Sequence, residues 1–204
     1  DNEWFNTTPD AELFCINATD YAGYSVSCGD VNNDGIDDIV SGAVYAEDAG
    51  NTCPGGSGTD CGSAVIYFGF DSNSGNWFNN TPDAELFGND PGDFAGIGIA
   101  VNDVNNDNIK DIVMAAYMSE PDGGCYLGGT DCGSVVIYYG IDQGDNEWFN
   151  TTPDLELFNP KNDTTFSVGV GDVDNDGIND ILLGTSKMEP GSVDSSNDTG
   201  GTYI

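Results

Sequence analysis

The stretch Asp1-Asn2-Glu3-Trp4-Phe5-Asn6-Thr7-Thr8-Pro9-Asp10-Ala11-Glu12-Leu13-Phe14 returns twice further along the chain. It reappears as Gly75-Asn76-Trp77-Phe78-Asn79-Asn80-Thr81-Pro82-Asp83-Ala84-Glu85-Leu86-Phe87, and again as Asp145-Asn146-Glu147-Trp148-Phe149-Asn150-Thr151-Thr152-Pro153-Asp154-Leu155-Glu156-Leu157-Phe158. Trp4, Trp77 and Trp148 stand 73 and 71 residues apart, and a second marker, Asp30, Asp103 and Asp172, recurs at 73 and 69. Self-similarity at such a period means stacked or radially arranged units, each too small to bury its own apolar face. The units run over 1–74, 75–144 and 145–204, the last one incomplete.

Within each unit the apolar residues fall in short alternating runs. Ser63-Ala64-Val65-Ile66-Tyr67-Phe68 and Ser134-Val135-Val136-Ile137-Tyr138-Tyr139 are rich in β-branched and aromatic residues, which favour strands. Further strands are expected at 38–43, 111–116 and 180–185, at 24–27, 96–100 and 166–170, and around Ala11 to Phe14. No segment sustains a 3.6-residue period, so long helices are not expected. Four strands per unit is the size of a propeller blade. The expected fold is therefore all-β: about three four-stranded blades, the last truncated, forming an open segment of a larger propeller or repeat assembly. Alignment of 201–204 with 133–136 places the end of the sequence inside a strand. An edge left unpaired in this way is expected to be covered by further blades of a longer chain or by another copy of the protein.

The composition narrows the function. There are 36 acidic residues against 3 Lys and Arg together, no His, and a net charge of −33. Such a charge opposes compaction unless cations neutralise it. It excludes nucleic acid, whose phosphates need basic partners, and disfavours anionic membranes. Without His, the commonest general base and zinc ligand are missing. No constellation stands out as catalytic, and an enzyme is not expected. No apolar run approaches the roughly 20 residues of a membrane span. No secretory leader opens the sequence, so any targeting segment is expected to have been removed or to lie outside it.

Between two of the strands each unit carries an Asp-rich loop. Copy one reads Asp30-Val31-Asn32-Asn33-Asp34-Gly35-Ile36-Asp37-Asp38, copy two Asp103-Val104-Asn105-Asn106-Asp107-Asn108-Ile109-Lys110-Asp111, and copy three Asp172-Val173-Asp174-Asn175-Asp176-Gly177-Ile178-Asn179-Asp180. Side-chain oxygens at positions 1, 3, 5 and 9, with the position 7 carbonyl of Ile36, Ile109 or Ile178, form a ligand set for a hard cation. The spacing is that of calcium loops. Magnesium, with its smaller octahedral shell and retained waters, fits less well. Position 6 suits a left-handed residue, supplied by Gly35, Asn108 and Gly177. About three Ca²⁺ per chain are expected, coupling metal binding to folding. Lys110 and Asn108 mark the second loop as the weaker one.

These loops, with Tyr21-Ala22-Gly23-Tyr24 before the first and Ile39 to Val44 after it, resemble the FG-GAP repeats of integrin-alpha-like β-propellers. Phe68-Gly69, Tyr139-Gly140 and Phe87-Gly88 stand at Phe-Gly-like positions, and Gly42-Ala43-Val44 where Gly-Ala-Pro is usual. Ala115-Ala116-Tyr117 and Gly184-Thr185-Ser186 depart further. The resemblance implies that Asp30, Asn32, Asp34 and Asp38 and their counterparts ligate calcium. It also implies a role in adhesion or surface architecture. The family's propellers close with about seven blades, more than this chain supplies. The competing functions are a non-catalytic propeller domain of a secreted carbohydrate-active or other hydrolytic enzyme, and a halo-adapted protein whose acidity keeps it soluble.

The six cysteines fall into pairs by repeat logic: Cys53 with Cys61, Cys125 with Cys132 in the same loop of copy two, and Cys15 with Cys28, which are both absent from copy two. Disulfides imply an oxidising, extracellular or cell-surface compartment. Candidate glycosylation sequons lie at Asn6, Asn17, Asn79, Asn150, Asn162 and Asn197. The recurring Trp-Phe pairs are expected to pack between neighbouring units, with a sugar-binding strip as the alternative. Partners are other copies or further blades, and surface protein or glycan ligands.

Overall fold

The computed structural model describes residues 8–9, 11–48, 50, 52–71, 80–121, 124–125, 131–142, 144, 148–159, 164–185 and 201–204. Its strands are β1 Ala22–Gly29, β2 Asp38–Ala43, β3 Thr52–Cys53, β4 Gly56–Ser57, β5 Ser63–Tyr67, β6 Ala84–Phe87, β7 Ala95–Asn102, β8 Asp111–Ala116, β9 Ser134–Tyr138, β10 Leu155–Phe158, β11 Thr165–Gly171, β12 Asp180–Thr185 and β13 Gly201–Tyr203. Among the described residues there is no α-helix, and none is long and apolar enough to cross a membrane. The all-β expectation holds.

Three antiparallel sheets carry the fold, in the orders β1-β2-β5-β6, β7-β8-β9-β10 and β11-β12-β13, with β3-β4 a small hairpin beside the first. Among the described residues no sheet closes into a barrel. The outer strands β6 and β10 come from the opening of the next sequence unit, so each of the first two sheets is completed by the repeat that follows it. The segment 11–15 matches β6 and β10 but forms no strand, correcting the expectation around Ala11 to Phe14. Among the described residues no strand pairs with it. Instead Leu13 and Cys15 pack on the face of the first sheet, and the Tyr67 hydroxyl donates to the Phe14 carbonyl.

The sheets stack face to face, as alternation requires when both faces of a central strand are apolar. Val40, Ala64, Ile66 and Leu86 of the first sheet meet Ile99, Ile112, Met114, Val136 and Tyr138 of the second. Val113, Val135 and Ile137, from the opposite face of the second sheet, meet Leu183, Val168, Val170 and Ile181 of the third. Every residue of β8 and β9 is buried, which explains their unbroken apolar runs. The Tyr138 hydroxyl finds its partner across the stack, donating to the Phe87 carbonyl at 2.8 Å.

The inner strands approach most closely at glycine. Gly42 of β2 lies against Gly96 of β7, where an added Cβ would stand 2.0 Å from the Gly96 carbonyl oxygen. Gly96 itself has φ +89° within a bulge between Ala95 and Gly98, and the Ser25 hydroxyl donates to its carbonyl at 2.8 Å. Only glycine allows this contact. In the third sheet, β13 pairs Gly201 with Thr185, whereas β9 pairs Ser134 with Ala116. Gly201 thus takes the place of Ser134, one residue from the position given by sequence alignment.

Candidate metal-binding loops

Each Asp-rich loop joins an inner strand to its neighbour: β1 to β2, β7 to β8 and β11 to β12. In copy one, the Asp30 carboxylate accepts from the amides of Asp34 and Gly35 at 3.1 and 2.9 Å. Asn32 Oδ1 accepts from the Asp34 amide at 3.0 Å, and Asp34 Oδ1 from the Ile36 amide at 2.9 Å. Copy two repeats this with Asp103, Asn105 and Asp107, and copy three with Asp172, Asp174 and Asp176. Position 6 is left-handed in all three, with φ of +87° at Gly35, +74° at Asn108 and +90° at Gly177. Position 4 (Asn33, Asn106 and Asn175) is left-handed too. These turns curl the chain so that the side chains at 1, 3 and 5 share one concave side. In copy three, one oxygen from each of Asp172, Asp174 and Asp176 lies within 4.8 Å of the others.

The donors are all oxygen and mostly carboxylate, which fits a hard divalent cation. Copies one and two have Asn32 and Asn105 at position 3, so copy three carries the most charge. The amides of Ile36, Ile109 and Ile178 are used within the loops, which fixes that residue where a carbonyl ligand is expected. Lys110 does not enter its loop. Its Nζ donates to Asn102 Oδ1 at 2.7 Å.

Position 9 has a second duty that the sequence did not reveal. Asp38 is buried and accepts from Val31 N at 2.9 Å and Gly69 N at 2.8 Å. Asp111 does the same for Val104 and Gly140, and Asp180 accepts from Val173. The aspartate therefore clamps the start of its loop to the end of the third strand. The glycine there is steric in origin, because a Cβ on Gly69 or Gly140 would stand 2.5 or 2.4 Å from the backbone oxygen of Asp37 or Lys110. Phe87-Gly88 has a different place, at the end of β6, where Gly88 donates to the Gly62 carbonyl. Burial pushes Asp38 up to about 6, aided by the charges of Asp34 and Asp30 and opposed by the two amides. Asp111 is raised chiefly by burial as well. A cation in the loop reverses that balance.

Away from the loops, further carboxyls gather around the serines that open β5 and β9. Ser63 donates to Glu85 and Ser134 to Glu156, both at 2.8 Å. Ser119 also donates to Glu156, at 2.7 Å, and touches Asp93. Burial pushes Asp93 and Glu85 each up to about 7. Reading the sequence alone missed this layer, because one acid looks like another in so acidic a chain. The signal was present in the repeat, where Asp20 matches Asp93 and Glu85 matches Glu156.

Two of the three disulfides are formed, Cys53–Cys61 and Cys125–Cys132. The third expectation is corrected, since Cys15 and Cys28 are free thiols. Cys28 lies exposed on β1 opposite Ile39, while Cys15 packs on the cluster around Tyr67 and donates to the Asn17 carbonyl. Asn17 and Asn150 are exposed, whereas Asn6, Asn79, Asn162 and Asn197 lie outside the described residues, as do Trp4 and Trp77. The third Trp-Phe pair is divided. Phe149 packs on the core between the first two sheets, while Trp148 remains 69% exposed. No known protein-family model matches this chain.

Proposed function

We propose that this chain is a calcium-stabilised structural or adhesive repeat module that works outside the cell, built from FG-GAP-like blades. One observation carries the reading: three loops at the repeat period share one hydrogen-bond pattern that turns side-chain oxygens at positions 1, 3 and 5 to a common side. Asp30, Asn32, Asp34 and Asp38, with their counterparts in the other copies, are the proposed ligands. Their positions between successive strands suit ions that brace the fold, and cations there offset part of the net charge of −33. The two disulfides favour an oxidising compartment. Among the described residues β13 pairs on one side only, which suits further blades or copies as partners.

The reading is tested by counting calcium in the purified chain and in D34A, D107A and D176A. Each variant is expected to lose one ion, and chelation to lower the melting temperature of the parent reversibly. A triple variant with an unchanged calcium content would overturn it. Labelling of intact, unpermeabilised cells with an antibody against the chain tests its placement outside the cell.

A further inference from the structure

The two ends of the stack carry the two halves of one sheet-to-sheet contact. Between the first and second sheets, Val40, Ala64, Ile66 and Leu86 form one half, and Ala116, Val136 and Tyr138 belong to the other. On the outer face of the first sheet their repeat counterparts Ala43, Val65 and Tyr67 gather again, with Leu13 in the place of Leu86. The anchor is kept as well. The Tyr138 hydroxyl donates to the Phe87 carbonyl of β6, and the Tyr67 hydroxyl donates to that of Phe14. Ala11 to Phe14, the same four residues as β6, thus lie where the fourth strand of a preceding sheet belongs.

Among the described residues no such sheet is present. Val26 is 69% exposed, although its counterpart Ile99 is only 9% exposed and packs against the first sheet. Gly23 keeps the left-handed form of Gly96, with φ of +94° against +89°, yet no described atom lies within 4 Å of a Cβ added to it. Gly96 uses that form to receive Gly42 and the Ser25 hydroxyl.

The third sheet offers the missing half. Gly184 pairs with Thr202 as Gly42 pairs with Ala64. Ser167 lies beside Gly184 as Ser25 lies beside Gly42. In this register Leu182, Thr202 and Ile204 take the places of Val40, Ala64 and Ile66. Strand alternation turns Leu182 away from Ile181 and Leu183, which face the second sheet. Val40, Ala64 and Ile66 are fully buried, whereas Leu182 is half-buried, Thr202 is exposed and Ile204 is 78% exposed.

We infer that the third sheet of one copy docks on the first sheet of the next, whose Ala11 to Phe14 segment pairs with β13 of the first copy. The expected register is Gly201 with Phe14, Thr202 with Leu13 and Tyr203 with Glu12, as Ser63, Ala64 and Val65 pair with Phe87, Leu86 and Glu85. Ser167 then donates to the Gly23 carbonyl of the next copy, as Ser25 does to Gly96. The two surfaces differ, so the contact is heterologous and repeats head to tail. The inference deepens the structural role proposed above and rests on its reading of the sheets as blades. Bound cations would lessen repulsion between copies that each carry a net charge of −33.

The test uses the full chain in saturating calcium, sized by light scattering and electron microscopy. The parent is expected to polymerise. V26D and I204D, which place a charge on the receiving and the docking surface, are expected to stay at 21.4 kDa with the parent's far-ultraviolet spectrum. Mixed in equal amounts, the two should give a species of twice that mass and nothing larger, because each keeps one sound surface. S57D, charged on the exposed β4, should polymerise like the parent. If V26D fails to fold, I204D alone must abolish polymerisation. A monomeric parent overturns the proposal, and would fit further blades of a longer chain on these faces instead. Self-association of I204D alone, the mark of two first sheets meeting face to face, overturns it too. Calcium content is counted separately on the unassembled I204D. Its absence would refute the loop reading and leave a head-to-tail polymer of the parent unexplained by calcium but still assembled as inferred.

Discussion

Replacing Gly42 by Ala probes the contact that sets the spacing of the first two sheets. The new methyl would stand 2.0 Å from the Gly96 carbonyl oxygen, 2.6 Å from Ser25 Oγ and 2.9 Å from the Gly96 carbonyl carbon. Ser25 can rotate away, but only by giving up its bond to that carbonyl. The Gly96 backbone has no room to retreat, because a Cβ built on it already meets the Ser63 carbonyl oxygen at 2.4 Å. Gly42 is pinned in turn by its pairing with Ala64. The sheets must therefore part by about 1 Å to restore van der Waals contact. Overpacking of this kind costs about 1–3 kcal/mol, and the lost Ser25 bond adds about 1 kcal/mol. A loss of about 2–4 kcal/mol lowers the melting temperature by about 5–15 °C in a chain of this length. The assay is a thermal melt in saturating calcium, with G171A as the control. Gly171 has no neighbour within 4 Å of an added Cβ, so that variant is expected to melt near the parent. The reasoning fails if G42A melts within about 1 °C of the parent, or if G171A falls as far.

Asp93 makes stability depend on pH in an unusual direction. Its carboxyl moves from the ordinary 3.8 to about 7 on folding, so the neutral acid is favoured in the fold. That contribution, about 2–4 kcal/mol, is full below pH 4 and is lost as the pH rises through 7. In metal-free buffer D93N is expected to flatten this part of the stability profile, and an unchanged profile in denaturant titrations would refute the assignment. Replacing Asn108 by Gly relieves a left-handed φ of +74°, and a gain of about 0.5–1 kcal/mol is expected in chemical denaturation. Reduction of Cys53–Cys61 or Cys125–Cys132, whose cysteines lie 8 and 7 residues apart, is expected to cost about 2–3 kcal/mol each. Thiol titration of the unreduced, denatured chain should find two free sulfhydryls, Cys15 and Cys28, and finding none would restore the third bridge.

The strands were legible wherever apolar residues alternate or run unbroken. The spans expected at 38–43, 111–116 and 180–185 match β2, β8 and β12. The loops were legible because oxygen donors at fixed spacing constrain the backbone as well as the chemistry, as the left-handed positions 4 and 6 show. What escaped the sequence is what depends on neighbours in space. Ala11 to Phe14 has a strand's composition but no strand partner among the described residues. Cys15 and Cys28 vanish together from copy two without being bonded in copy one, so shared absence misled. The clamp of Asp38 on Gly69 spans 31 residues, and the Asp93–Ser119–Glu156 contact joins three segments. Neither leaves a local pattern.

The offset between sequence unit and sheet has a bearing on how such a chain is made. Because β6 belongs to the repeat after the one it completes, the first sheet stays three-stranded until residue 87 has been synthesised, and the second until residue 158. During biosynthesis each nascent sheet thus waits, with Val65 and its neighbours half covered, for the opening residues of its successor. A genetic deletion of one whole unit would splice the next opening strand onto the same acceptor edge, leaving every interior sheet intact. The number of repeats can therefore change between generations without any junction having to be redesigned.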